Sequence, residues 1–352
     1  MNPRDRFLSA CWREPVDCTP VWFMRQAGRY LPRYREIRKD RTVLEICKVP
    51  SLCSEVTLLP LTELGVDAAI IFADIMLPLE GIGVSFNIRE DLGPVVLNPV
   101  RTVDDVEKLR KFDAIKHVPY LIEAIRRTKQ RLDYYKAALI GFSGAPFTLA
   151  SYLIEGSHSL DYAETRRLMY NNPEIWHLLL KKLSDIITDY LLSQIEAGVD
   201  SVQLFDSWVG VLSAKDYSEY VAPHTESIFK AIKKLHPEIP TIYFGTANIH
   251  LLHVMKKVGG DVLSLDWRIP ISEAHKMLGD GIAIQGNLDP AVLLSDQKEK
   301  ERFIASKVQQ VLDEARELSG HIFNSGHGIL KRTPVENVKF VVKYVHSNTL
   351  KK

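Results

Sequence analysis

The sequence has few cysteines, and all of them lie near its start. Cys11, Cys18, Cys47 and Cys53 are the four in 352 residues, and no two of them form a C-x-x-C pair. This spacing indicates neither a disulfide framework nor a zinc knuckle. We therefore expect free thiols and a reducing compartment, of which the cytoplasm is the simplest.

Long apolar runs are also missing. No unbroken run reaches the roughly 18 residues that a bilayer-spanning helix needs, and residues 1–15 lack the continuous apolar core of a signal peptide. Lys and Arg number 45 against 44 Asp and Glu, so the net charge is +1. Such a chain has no global field that attracts nucleic acid or an anionic membrane. We expect it to bind neither, so an anionic ligand must meet a local basic cluster.

The sequence contains eight short runs of apolar, β-branched or aromatic residues. Near-continuous runs of this kind are typical of parallel strands that are buried on both faces. They lie at 19–25, 66–74, 138–144, 201–207, 240–246, 262–268, 282–288 and 321–328.

Segments with helical spacing separate these runs. The clearest is 173–197, which begins at Pro173 and is followed by Gly198. The alternation predicts an α/β fold, a (β/α)₈ barrel of the TIM type with an N-terminal extension, and we expect residues 1–352 to form a single domain. The alternative is a doubly wound sheet with an appended domain. It is disfavoured because no G-x-G-x-x-G motif follows any of the strands.

The predicted strands end in polar residues. Barrel enzymes place their chemistry at the carboxyl ends of the strands, so we expect one pocket to gather these side chains. They are Arg25, Asp74, Asp206, Ser207, Asp266, Gln285, Asn287, Asn324 and His327.

Residues 25–41 form a local basic cluster that contains six arginines. The planar guanidinium binds carboxylate or phosphate with two parallel hydrogen bonds, so a cluster at a strand end favours a substrate with several anionic groups. Arg33 and Arg35 are more typical of a solvated helix face. Arg25 and Arg29 flank the turn after the first strand, where Gly28 allows close approach of the backbone to a ligand.

Four further residues have both a structural and a functional interpretation. Asp74 lies between apolar runs, so it is either half of a buried salt bridge or a functional carboxylate. Tyr152 lies among aliphatic residues and is more typical of core. Ser207 is outside any G-x-S-x-G motif, which favours hydrogen bonding over nucleophilic attack. His327, between two glycines, favours a ligand contact, and phosphate-binding barrels also have a glycine-rich loop at this place.

Seven segments, in order along the chain, together resemble a known family. PVWFMRQAGRYLPRYRE and GFSGAPFTLASYLIEG look like two family signatures, and FADIMLP, QLFDSWVG, LDWR, QGNLDP and NSGHG look like stretches at successive strand ends. The family is the uroporphyrinogen decarboxylases of haem biosynthesis. Seven ordered matches over nearly the whole chain are far more specific than any one motif.

The resemblance implies a barrel homodimer that decarboxylates the four acetate side chains of uroporphyrinogen III without a cofactor or metal. The products would be coproporphyrinogen III and four CO₂. Asp74 would bind the pyrrole N–H groups and stabilise a ring cation, while Arg25 and Arg29 would bind carboxylates. The substrate-binding residues implied are Arg25, Gln26, Ala27, Gly28, Arg29, Asp74, Tyr152, Ser207 and His327, of which Asp74, Arg25 and Arg29 would be catalytic.

The last strand loop departs from the family pattern, and two other functions compete. Ser325 stands where the family usually has leucine, and residues 329–331 occupy a region where it has proline. A zinc-dependent methyltransferase of a related barrel family would need a thiolate near the strand ends, but no cysteine follows Cys53. A tetrapyrrole-binding scaffold would have little need to keep Asp74 together with both arginines.

Overall fold

The computed structural model describes residues 1–89 and 93–351. Every predicted strand run contains a strand or bridge, although most of these are shorter than the runs. Within the described residues the strands are β1 Ala68–Ile70, β2 Phe86–Arg89, β3 Gly93–Val96, β4 Ala138–Gly144, β5 Ser201–Asp206, β6 Thr241–Gly245, β7 Val262–Ser264, β8 Ala283–Gln285 and β9 His321–Ile322.

Helices connect and cover these strands. In the same residues they are α1 Pro3–Cys11, α2 Pro32–Arg38, α3 Val43–Lys48, α4 Pro50–Leu64, α5 Leu77–Gly81, α6 Val103–Glu107, α7 Ala114–His117, α8 Pro119–Tyr135, α9 Pro146–Glu155, α10 Ala163–Asn171, α11 Pro173–Ala197, α12 Ala214–Tyr220, α13 Ala222–Leu235, α14 Leu252–Val258, α15 Ile271–Leu278, α16 Lys300–Glu314 and α17 Val335–Thr349. Short 3₁₀ turns lie at Val209–Val211, Ile249–Leu251 and Pro290–Leu294.

Seven of the strands form one parallel sheet in the order β1-β4-β5-β6-β7-β8-β9. The sheet is closed through the first predicted strand, which is reduced to a single bridge. Val21 pairs in parallel with Phe323 at one edge, and its carbonyl accepts a hydrogen bond from Asp67 N over 2.8 Å at the other. The predicted (β/α)₈ class is therefore confirmed.

The covering helices bury the strands on both faces, as the apolar runs predict. All seven residues of β4 are buried. The helix predicted at 173–197 is present as α11, with Pro173 in its first turn and Gly198 in the left-handed conformation at φ 113° after its end. Its buried residues include Trp176 and Leu183, which pack in the main core.

The barrel interior also contains a polar layer. The indole Nε1 of Trp22 donates to Gln285 Oε1 over 2.9 Å, and Gln285 Nε2 donates to Ser264 Oγ over 2.9 Å. Gln285 has no exposed surface. The expectation that it faces the pocket is wrong, because its amide is committed to these partners inside the barrel.

The sequence did not predict the antiparallel hairpin formed by β2 and β3. Its strands have four residues each, and their side chains are partly buried or exposed apart from Val96. The hairpin is attached to the end of α9, since Val96 N donates to Gly156 O over 2.7 Å. This attachment places Pro94 at the cavity described next.

Candidate active site

A cavity of about 250 Å³ lies at the carboxyl ends of the strands. It is mostly apolar with a few polar groups, as small-molecule sites usually are. Six residues predicted for the site line it, namely Arg25, Ala27, Asp74, Tyr152, Ser207 and His327. The other described lining residues are Met24, Ile70, Ile71, Phe72, Ala73, Ile75, Pro94, Phe142, Phe205, Trp208, Phe244 and Gly328.

Asp74 follows β1 and is surrounded by apolar neighbours such as Ile71 and Phe72. Its Oδ1 accepts a hydrogen bond from Met76 N over 2.9 Å. Burial raises the pKa of the Asp74 carboxyl, while the Met76 N–H and the charge of Arg25 partly oppose that rise. The carboxylate is therefore weakly solvated, and a cation entering the cavity would be attracted strongly.

Arg25 is held in an unusual backbone conformation at the cavity. Its φ is 58°, in the left-handed region that residues other than glycine adopt at a cost of about 1–2 kcal/mol. Its side chain is exposed and lies against Gly328, where a Cβ atom would overlap it. Strain of this kind is often found at functional sites, and Arg25 lines the cavity.

Gln26 lies behind the cavity, which differs from the expected direct contact with substrate. Its side chain has no exposed surface. Its Oε1 accepts from Phe23 N over 3.0 Å, and its Nε2 donates to Ala68 O over 2.9 Å. Because both ends of the amide are used, Gln26 fixes the segment that carries Arg25 to strand β1.

Gly28 and Arg29 are not among the described residues that line the cavity. A Cβ atom at Gly28 would come within 3.0 Å of Arg25 O, so the tight turn favours glycine there. Arg29 is partly buried, and its carbonyl accepts from Arg35 Nη1 over 3.0 Å. Its part in binding stays a prediction.

Tyr152 lies on α9 and is 8% exposed, with its ring against Trp208. Burial raises the pKa of its hydroxyl to about 12, with a further contribution from Asp74. The phenol is therefore neutral near pH 7. A neutral phenol can donate one hydrogen bond and accept others.

Ser207 lines the cavity, whereas its neighbour Asp206 turns away from it. Asp206 is fully buried and accepts hydrogen bonds from Thr148 Oγ1 and Tyr243 Oη, each over 2.9 Å. Burial raises the pKa of Asp206 to about 6, and those two hydrogen bonds partly oppose the rise. The expectation that Asp206 faces the pocket is wrong, because adjacent strand residues point to opposite sides.

Three other polar strand ends also serve the scaffold. Asp266 is 3% exposed and accepts from Ala247 N and Arg268 Nη1 over 2.5 and 2.6 Å. Asn287 Nδ2 donates to the carbonyls of Asp266 and Ile269. Asn324 Oδ1 accepts from Met24 N over 3.1 Å, which holds the N-terminal segment against the last strand loop.

His327 is presented by a loop that Ser325 stabilises. The Ser325 hydroxyl donates to His327 O over 2.6 Å, so the residue that departs from the family pattern holds this loop directly. The imidazole lies near the rings of Phe244 and Trp267, with centroids 6.1 and 6.4 Å apart. Burial, and secondarily Arg25, lowers the pKa of His327 to about 4. The ring is therefore neutral near pH 7.

Three phenylalanines that line the cavity were not predicted from the sequence. Phe142, Phe205 and Phe244 lie near the ends of three consecutive strands, with centroids 5.5 and 5.8 Å apart along the series. Phe205 and Phe244 are direct partners in the sheet register. Each of the runs 138–144, 201–207 and 240–246 has a phenylalanine two residues before its last residue, and this repeated position was a usable signal.

The described residues contain no group of three or more His, Cys, Asp or Glu side chains placed to hold a metal ion. All four cysteines are buried free thiols. Among residues 1–89 and 93–351, no helix has the length and apolar character to cross a membrane.

The chain is similar to known proteins over almost its whole length. A family model described as uroporphyrinogen decarboxylase (URO-D) matches residues 2–348. Uroporphyrinogen decarboxylase from Carboxydothermus hydrogenoformans is 49% identical over 342 residues, which are 97% of this chain and 96% of that protein. The one from Sorangium cellulosum is 50% identical over 343 residues, with coverages of 97% and 96%.

Two solved structures share the fold. A methyltransferase from Methanosarcina mazei superposes with a TM-score of 0.83 at 19% identity, covering 99% of each chain. A B12-independent methionine synthase from Shewanella sp. W3-18-1 gives a TM-score of 0.58 at 12% identity, covering 85% of this chain and 88% of that one. At these identities the similarity concerns the architecture alone.

Proposed function

The chain belongs to the uroporphyrinogen decarboxylase family, and we propose that the cavity around Asp74 is where its substrate loses CO₂. The chain is a carboxy-lyase of porphyrin biosynthesis. It converts the four acetate side chains of uroporphyrinogen III to methyl groups, which gives coproporphyrinogen III and four CO₂.

The chemistry needs an electron sink, and a protonated pyrrole ring provides one. Protonation of a ring carbon gives a cation, and loss of CO₂ from the acetate carboxylate neutralises it as an exocyclic methylene. A second proton at that carbon forms the methyl group, and release of the proton first added to the ring restores the pyrrole. Asp74 is the residue that would bind the pyrrole N–H groups and stabilise the cation. Its partial burial among apolar side chains supports this role, because a preorganised charge acts most strongly where water is excluded.

The remaining cavity residues would hold the carboxylates of the substrate. The guanidinium of Arg25 matches a carboxylate, with Arg29 as a second binding group at the mouth. Tyr152, Ser207 and neutral His327 would donate hydrogen bonds. Because the pKa of His327 is about 4, we assign proton delivery to an arginine or to a water held by Tyr152.

The cavity is smaller than a typical ligand pocket. Its volume of about 250 Å³ is below the roughly 300–1,000 Å³ of typical ligand pockets. We therefore propose that one pyrrole with its acetate enters the cavity, while the rest of the macrocycle lies in the mouth beside Pro94 of the hairpin. The flexible, reduced ring can then be turned to present each acetate in sequence.

Some properties of the protein as a whole are part of the same proposal. We expect residues 1–352 to act as one domain, to pair as a homodimer in the cytoplasm, and to work without a cofactor. Sedimentation velocity of the purified protein would measure the oligomeric state, and a monomer at micromolar concentration would contradict the homodimer.

The decisive experiment is anaerobic incubation of chelator-treated protein with uroporphyrinogen III, followed by oxidation and chromatographic counting of carboxylates. We expect seven- to four-carboxylate products without added cofactor. If a folded sample returned only the eight-carboxylate substrate, the assignment would be wrong, and zinc analysis would then test the methyltransferase. That alternative is disfavoured because Cys47 and Cys53 are buried with raised thiol pKa values.

A further inference from the structure

The proposed reaction gives no role to one polar group in the cavity wall, the indole N–H of Trp208. Trp208 lines the cavity, yet its indole Nε1 is buried and has no hydrogen-bond partner among the described residues. Buried donors without an acceptor are uncommon and destabilising. An orphan N–H in the wall of a ligand site therefore requires an explanation.

Trp208 is held against α9 at two points that are one helical turn apart. Its backbone N–H donates to Thr148 Oγ1 over 3.4 Å. Its ring meets the ring of Tyr152 edge-on, with centroids 6.1 Å apart and planes at 69°. Since residues four apart lie on the same face of a helix, Thr148 and Tyr152 both face Trp208.

A buried hydrogen-bond network holds Thr148, and with it the backbone of Trp208, in place. Thr148 Oγ1 donates to Asp206 Oδ1 over 2.9 Å, and Tyr243 Oη donates to Asp206 Oδ2 over the same distance. The Tyr243 hydroxyl is in turn 2.8 Å from that of Tyr217. The network locks the end of β5 to the start of α9, so Trp208 has little freedom to move.

Other aromatic rings enclose the indole. The rings of His158 and Tyr162 lie 5.1 and 5.5 Å from that of Trp208, so protein side chains surround the indole, and Tyr152 supplies a hydroxyl beside it in the cavity lining. Burial raises the pKa of Tyr152 to about 12, and the Trp208 N–H partly opposes the rise, although the two groups do not meet hydrogen-bond geometry in this structure.

Resting on the proposed function, we propose that Trp208 is a positioning residue for Tyr152, whose Oη accepts the indole N–H when substrate is bound. The phenol then donates a hydrogen bond to a substrate carboxylate or to the proton-delivering water. A hydroxyl that accepts one hydrogen bond becomes a better donor in another. The geometry is incomplete in the free protein, as hydrogen bonds at active sites often are before substrate binds.

Trp208→Phe, Tyr152→Phe and the double variant test this coupling. Trp208→Phe keeps a ring but removes the N–H, and we expect kcat to fall about tenfold, the effect of about 1.4 kcal/mol, with KM within about twofold. The double variant should be no slower than Tyr152→Phe, because the indole then has no hydroxyl to orient. To separate the N–H from ring shape, β-(3-benzothienyl)alanine at position 208 replaces N–H by sulfur in a ring of nearly the same size, and kcat should fall equally.

Trp176 supplies the matched control. It is fully buried outside the cavity, and its Nε1 donates to Tyr220 O over 2.9 Å. Trp176→Phe should lower the unfolding temperature and leave kcat unchanged. An inactive wild-type protein would refute the proposed function itself. If the wild type is active, three results would overturn the role of Trp208 alone. The benzothienyl variant could keep full kcat, it could change only in KM, or its loss of rate could add to that of Tyr152→Phe.

Discussion

Asp74 is half-buried among apolar side chains, and one backbone N–H is its direct hydrogen-bond donor. Asp74→Asn keeps the shape but removes the charge that would stabilise the pyrrole cation. We expect kcat to fall by about 10²- to 10³-fold, as on losing one preorganised group in other active sites. Because burial raises the carboxyl pKa, the apparent pKa of the acid limb in the wild-type pH–rate profile should be higher than the ordinary aspartate pKa of about 3.9.

The fold should survive this change, which circular dichroism and thermal unfolding would verify. Near-full activity of folded Asp74→Asn would remove Asp74 from the mechanism. A residual rate that kept the wild-type acid limb would assign that limb to another group.

Replacing Arg25 with lysine tests whether the shape of the guanidinium matters as well as its charge. Arg25→Lys keeps the charge but loses the planar fork, so we expect KM for uroporphyrinogen to rise about tenfold. The matched control is Arg33→Lys, because Arg33 is 52% exposed and pairs with Glu36 and Glu55 away from the cavity. Steady-state kinetics at fixed ionic strength would compare the two variants with the wild type. Equal KM values for Arg25→Lys and the wild type would show that charge alone is sufficient.

At the scale of elements, the last strand loop and the N-terminal segment meet at Gly328. A Cβ atom there would overlap the Arg25 side chain, whereas one at Gly281 would only touch the end of Lys256 at 3.6 Å. Gly328→Ala should therefore displace the Arg25 guanidinium and lower kcat/KM about tenfold or more, with little change in stability. Gly281→Ala should leave both unchanged. Full activity of Gly328→Ala would show that the position of Arg25 is not critical.

The elements themselves could be predicted well, for a physical reason. Parallel strands buried on both faces leave apolar runs that are visible without any partner, so all eight positions were found, including the one reduced to the bridge at Val21. The hairpin of β2 and β3 was missed because its short strands are mostly exposed and leave no such pattern.

The direction of polar side chains at the strand ends was harder to predict. Asp206 and Ser207 are adjacent, but one is buried in a network and the other lines the cavity. A shift of one residue in the end of a strand exchanges the two faces, and sequence does not fix ends that closely. The direction of the Gln26 side chain could not be predicted for a similar reason. Its amide donates to a carbonyl of β1, which lies more than forty residues later in the chain.

At the scale of the whole molecule, neutral histidines that are buried or partly buried should make the fold sensitive to acid. Burial lowers the pKa values of His224, His321 and His327 to about 4, while unfolded histidine titrates near 6.5. Between these values the unfolded chain binds protons that the native protein does not. The free energy of unfolding is therefore highest above pH 6.5 and falls toward pH 4, by at most about 1.4 kcal/mol per pH unit for each histidine.

Asp206 acts in the opposite direction, because its raised pKa of about 6 means that the native protein binds the extra proton between pH 4 and 6. His321→Gln separates the contributions, since glutamine can still donate to Gly286 O as His321 Nε2 does over 2.9 Å but does not titrate. Urea unfolding from pH 7.5 to 4.5 should give a shallower loss of stability for this variant than for the wild type. Parallel curves would mean that His321 is protonated as readily in the native protein as in the unfolded chain, and that the acid sensitivity has its source elsewhere.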